Sequence, residues 1–143
     1  MIEWVLAIHA GATCFLAGLI WVIQLVHYPL MDRVLPEEFG AFARAHQVRI
    51  TPIVGPAMLA EGVAAAMLVW LVPGGWPMVV VWVGLVLVGV NALSTFLVQV
   101  PLHSRLVDGF DARAHAALVW TNWVRTVAWS VRAVLAIGLV ALL

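Results

Sequence analysis

Glu61, Arg125 and Arg132 sit inside segments that are otherwise apolar enough to cross a membrane. On insertion scales a charge at the centre of such a helix costs about 3 kcal/mol, so a retained one has a partner or a task. Counted at 1.5 Å per residue, Glu61 lies roughly 14 Å and Arg125 about 15 Å from the same side of the membrane, which predicts an ion pair between them. Glu61 would then serve as a general base or a ligand, with Arg125 beside it. Arg132 stands further along the last segment, where it is expected to be structural, to meet a substrate acid group, or to snorkel outward.

Polar side chains recur at helical spacing around these charges. Asn91, Thr95, Gln99 and His103 follow one another at i+4 steps. Gln24 and His27 close the first apolar segment, and Asn122, Arg125, Trp129 and Arg132 form a stripe on the last. Packing between membrane helices is served by small residues and by weak Ser or Thr bonds of about 0.6 kcal/mol. Amides, imidazoles, a carboxylate and guanidinium groups exceed that need and point to a site. Gln24, Asn91, Gln99 and Asn122 would orient a substrate or cofactor there.

His27 and His103 end their segments on the same side, with Gln24 and Gln99 one turn deeper. With Glu61 or another carboxylate, the two imidazoles could hold zinc, iron or copper. As a pair they could be axial haem ligands. The alternatives are helix-end hydrogen bonding to interfacial water and proton handling. His9 is expected to hydrogen-bond within the bundle, His46 to reach the His27/His103 end, and His115 to be solvated.

The elements that must position these residues follow from composition. The chain has 143 residues, 65% of them hydrophobic and 10% charged, where soluble domains carry about 25% charged residues. The length suits a single domain over 1–143 with four transmembrane helices, at about 20 residues per span. The spans are predicted at about 4–28, 52–72, 77–100 and 112–142, an all-α four-helix membrane bundle. Pro29, Pro73-Gly74-Gly75 and Pro101 mark span ends, and Asp111 is the expected N-cap of the last. Leu35 to Val48 is predicted as an amphipathic connector helix with Phe39, Phe42 and His46 on one face, lying on the bilayer surface or covering the bundle. No internal repeat stands out.

A formal net charge of zero argues against a nucleic-acid partner. The seven basic residues are all Arg, which removes lysine chemistry. Cys14, the single cysteine, permits no intrachain disulfide and is expected to be a buried core residue. The first segment begins with Glu3 and runs too long for a secretory signal, so it is read as a retained span. Arg33, Arg44, Arg49, Arg105 and Arg113 fall in the two long connections, which predicts those connections in the cytoplasm of a plasma or inner membrane and both termini outside. Trp4, Trp70, Trp76 and Trp82 would form the opposite aromatic belt. The region of Gly84 and Gly89 offers weak support for a homo-oligomer.

Val100-Pro101-Leu102-His103-Ser104-Arg105-Leu106, with Asn122-Trp123-Val124-Arg125-Thr126, resembles small four-helix membrane proteins of the anthrone-oxygenase-like group. The apolar stretch from Gly18 to Pro29 fits the same pattern. The resemblance implies a four-helix bundle and, for some members, oxygenation of polycyclic aromatic substrates. His103 stands where that group carries Asn, and no His precedes Arg125-Thr126. The chain is also similar in length, span count and early His9 to the small membrane protoporphyrinogen oxidases, whose lysine it lacks. The expected function is a membrane oxidoreductase or oxygenase, with a metal or haem, acting on a lipophilic substrate. The alternative is a proton-coupled carrier or accessory subunit with a structural Glu61–Arg125 pair.

Overall fold

A computed structural model describes every residue from Met1 to Leu143. Four long helices cross back and forth: α1 (Ile2–Arg33), α2 (Pro36–Leu71), α3 (Trp76–Val107) and α4 (Ala112–Leu142). Each is long and apolar enough to span a membrane. They pack as a ring in which α1 touches α2 and α4, and α3 touches α2 and α4. Short turns at 34–35, 72–75 and 108–111 make neighbours antiparallel, so one end of the bundle carries both termini and the other the two Arg-bearing connections. Asp111 caps α4 as expected, its Oδ1 accepting the backbone N–H groups of Arg113 at 2.8 Å and Ala114 at 3.2 Å.

The helices run through prolines that sequence reading took as span ends. In α1 the segment Ile23–His27 is a π turn, followed by Pro29. In α3 the segment Thr95–Gln99 is a π turn, followed by Pro101. A proline ring collides with the carbonyl four residues earlier. Widening the preceding turn by one residue relieves that collision, and the Tyr28 N–H then bonds to Ile23 O and the Val100 N–H to Thr95 O. The two turns share the pattern Leu-Val-x-x-Pro-Leu, at Leu25-Val26-His27-Tyr28-Pro29-Leu30 and Leu97-Val98-Gln99-Val100-Pro101-Leu102. Ala43-Arg44-Ala45-His46 in α2 likewise reappears as Ala112-Arg113-Ala114-His115 in α4.

The connector expected over Leu35 to Val48 is the first part of α2 and not a separate surface helix. Pro52 and Pro56 point outward from a helix that continues past them. Thr51 Oγ1 donates to Gln47 O at 2.7 Å, a side-chain bond of the kind that supports proline-containing membrane helices. Phe39 is fully buried and meets the Phe110 ring edge-on at 4.9 Å, so this part of α2 covers the loop end of the bundle.

Gly40 brings α2 onto the end of α3, where an added Cβ would stand 2.8 Å from the backbone oxygen of Val107. Gly40→Ala gains helix propensity of about 1 kcal/mol, but overpacking against a backbone atom costs typically about 1–3 kcal/mol. The variant is expected to melt below wild type when unfolding is followed by circular dichroism in detergent.

Two apolar clusters form the core, one around Leu16, Ile20, Phe39 and Leu118 toward the loops, the other around Leu6, Leu68, Val81 and Leu139 toward the termini. Cys14 is not in either; it is exposed on α1, because its face turns away from the ring. Gly84 also departs from expectation. It is buried within the bundle and not on an outer face, with its carbonyl accepting from Arg132. Trp4, Trp70, Trp76 and Trp82 are all exposed, the first three at or near the terminal end.

Candidate functional site

The charges divide into two layers, and the pairing between them differs from the expected one. Glu61 pairs with Arg132 and not with Arg125. Arg132 Nε donates to Glu61 Oε1 at 2.8 Å, and Trp129 Nε1 donates to Glu61 Oε2 at 3.1 Å. Arg132 also donates to the Gly84 carbonyl, while its Nη2 stands 3.3 Å from His9 Nε2 and 3.4 Å from Thr13 Oγ1. One guanidinium thus ties all four helices together while only 1% exposed. Depth explains the partner. Glu61 lies ten residues before the end of α2 at Leu71, and Arg132 ten before the end of α4 at Leu142. Counting from the other side misplaced Glu61, because α2 begins at Pro36 and not at Thr51. Both Glu61 carboxylate oxygens are thus engaged by the protein, and His9 is the bundle hydrogen-bonder expected.

The second layer surrounds a cavity of about 290 Å³ in the loop half of the bundle. Its polar wall is Tyr28 from α1, His46, Gln47 and Thr51 from α2, Gln99 and His103 from α3, and Arg125 from α4. Its apolar wall includes Ile23, Ile50, Val54, Met58 and Phe96. Thr51, Gly55, Phe96 and Val100 line it and are exposed on the outer faces of α2 and α3, so the cavity opens sideways between those helices.

The π turns aim the polar wall. Tyr28 and His103 each follow one of these turns, and Tyr28 Oη lies 3.0 Å from His103 Nε2. Gln47 Nε2 donates to the His103 carbonyl at 2.9 Å, and His115 Nε2 lies 2.8 Å from the Tyr28 carbonyl. His115 is therefore a positioning residue, half-buried and not solvated as expected. It holds the backbone that carries the phenol.

Arg125 enters from the opposite helix, held from behind. Its Nη1 donates to Asn122 Oδ1 at 3.1 Å, and its Cζ stands 5.0 Å from the Trp129 ring centroid. Asn122 Nδ2 donates in turn to Gln24 Oε1 at 2.7 Å, which also accepts from Thr126 at 3.4 Å. Gln24 and Asn122 thus sit behind Arg125 and not on the cavity wall. Gln24→Leu leaves the buried Asn122 amide without its acceptor, an expected loss of about 1–3 kcal/mol. Thermal unfolding in detergent, wild type beside variant, reads it directly. Gln99 does line the cavity, with Nε2 donating to Thr121 Oγ1 at 2.9 Å and Oε1 free of protein partners. Asn91 is buried without a side-chain partner but lies outside the lining.

His27 and His103 are not juxtaposed as a ligand pair. His46 comes between them, its ring stacked on His27 at 4.1 Å between centroids and tilted toward His103 at 5.6 Å. Metal binding needs in-plane nitrogen lone pairs converging on one point, and stacked rings direct theirs in parallel planes. No set of three His, Cys, Asp or Glu side chains stands where it could enclose a metal ion. A second, shallower cavity of about 240 Å³ lies beyond the stack, with His27, Phe42, His46 and Arg49 on its wall.

Sequence reasoning passed over Tyr28, the one tyrosine of the chain, which it took only as the last residue of the first span. Its position before Pro29, repeated as Val100 before Pro101, was the available signal. Compared with protein-family models, curated proteins and solved structures, the chain matches none.

Proposed function

We propose that this protein is a membrane-embedded oxidoreductase of the oxygenase type, taking a lipophilic substrate from the bilayer into the cavity between α2 and α3. The observation that carries the proposal is the Tyr28–His103 pair, 3.0 Å apart, on the wall of a cavity that opens between α2 and α3. A hydroxyl bonded to an imidazole is a unit for moving a proton: His103 Nε2 draws on the Tyr28 proton while Tyr28 Oη takes one from the substrate. The apolar wall formed by Ile50, Val54, Met58 and Phe96 suits a flat hydrocarbon body.

For a substrate with an acidic methylene flanked by aromatic rings, as the resemblance implies, loss of that proton leaves a carbanion that dioxygen can oxidise. The balance is one methylene and one dioxygen giving one carbonyl and one water. Both C–H bonds of the methylene break, its carbon is oxidised by four electrons, and dioxygen is reduced by the same four. One oxygen atom stays on the carbon and the other leaves as water with the two hydrogens. Arg125, in the same cavity, stands where charge on the substrate would be felt. The orientation proposed is the one the arginines favour, with both long connections cytoplasmic and the termini outside.

Anthrone tests the function. Purified protein in neutral lipid nanodiscs is expected to convert anthrone to anthraquinone, consuming one dioxygen per product, above the rate in protein-free nanodiscs. A rate equal to that of the empty discs, with the bundle folded, would count against oxygenase chemistry on such substrates.

A further inference from the structure

Two arginines lie buried on α4, two helical turns apart, and they differ in one respect. Arg132 is neutralised from within: Glu61 faces it at 2.8 Å, and Gly84, His9 and Thr13 occupy its remaining nitrogens. Arg125, 6% exposed, has no carboxylate. Its side-chain partners are neutral: the Asn122 amide and the Trp129 face. Its Nε is buried and bonds to nothing. Every other carboxylate is out of reach, since Glu3, Asp32, Glu37, Glu38, Asp108 and Asp111 are all exposed near the helix ends and Glu61 is the single buried one.

A lone guanidinium in hydrocarbon surroundings is costly to hold, and Asn122, itself anchored by Gln24, spends a buried hydrogen bond on keeping it in place. The cation lines the cavity instead of turning away from it. From this contrast we infer that the cavity is an anion subsite: its ligand is a lipophilic organic acid, whose carboxylate or ionised hydroxyl pairs with Arg125 while its apolar body lies against Met58, Val54 and Phe96. A guanidinium suits either oxyanion, through one or two N–H donors.

The inference rests on the proposed lipophilic-substrate cavity and deepens it, and the test separates the two. Protein in neutral phosphatidylcholine nanodiscs is titrated with 9-anthracenecarboxylate and with its uncharged near-isostere, 9-anthracenecarboxamide, following probe fluorescence against empty nanodiscs. Wild type is expected to bind the carboxylate saturably and at least tenfold more tightly than the amide. In Arg125→Gln that preference is expected to vanish, and in Arg125→Lys to survive in part. Equal affinities in wild type, or a preference unchanged in a folded Arg125→Gln, would overturn the anion subsite while leaving a lipophilic cavity standing. No saturable binding of either probe would overturn both. Should Arg125→Gln fail to fold, ligand-dependent melting of the wild type decides: the carboxylate raises the melting temperature and the amide does not, and equal shifts would overturn the inference.

Discussion

Glu61→Gln is expected to lose stability first and foremost, by about 3–5 kcal/mol, the range for removing one partner of a buried ion pair. The substitution is nearly isosteric, so no cavity explains the loss. What changes is the charge on Arg132, which stays buried with its counter-ion gone. The amide also keeps only one acceptor atom, so if that oxygen faces Arg132 Nε, the amide nitrogen meets the Trp129 Nε1–H donor head-on. Thermal or denaturant unfolding in detergent measures the effect. The double variant Glu61→Leu/Arg132→Met separates charge from packing. It removes both desolvated ions together and is expected to recover most of the stability, because apolar replacement of a buried pair is often neutral or favourable. If Glu61→Gln were as stable as wild type but inactive, Glu61 would be a base and the ion pair incidental.

Tyr28→Phe should have the opposite signature. It deletes one oxygen from a side chain that is otherwise buried in the loop-side core, so the bundle is expected to stay folded. Anthrone turnover is expected to fall about 10²–10⁴-fold, the usual contribution of a positioned acid–base group. His103→Gln is expected to fall by a similar factor, since it removes the group that receives the Tyr28 proton. The two losses should not add. Residues that act as one unit give a double variant little worse than either single one. Additive losses would mean that Tyr28 and His103 act separately, and the 3.0 Å contact would then be structural.

The two variants separate the layers of the bundle. The layer toward the termini holds the helices together through a charge pair with every nitrogen and oxygen of the pair facing protein. The layer toward the loops leaves polar atoms of Arg125, Gln99 and His103 without protein partners. Buried polar groups are almost always hydrogen-bonded, and in this protein the exceptions that touch the cavity gather around its polar wall.

Much of this was legible in the chain itself. Composition and apolar run length specify four membrane helices, because a bilayer demands about 20 apolar residues per crossing and internal backbone hydrogen bonding. Asp111 announces the start of α4 through local capping chemistry, which needs no distant partner. The stripes of Gln99 and His103, and of Asn122, Arg125 and Arg132, follow from helical periodicity alone.

Tertiary structure decided everything that depends on rotation and register between helices. Pro29 and Pro101 looked like ends, yet the helices pass through them, because a π turn before each proline makes room for its ring; α2 likewise continues past Pro52. That continuity shifted the depth of Glu61 and gave it to Arg132. It also brought Tyr28 against His103, from helices 75 residues apart in sequence. Periodicity fixes which side chains share a face of one helix; which faces meet, and at what height, is set by packing against three other helices at once.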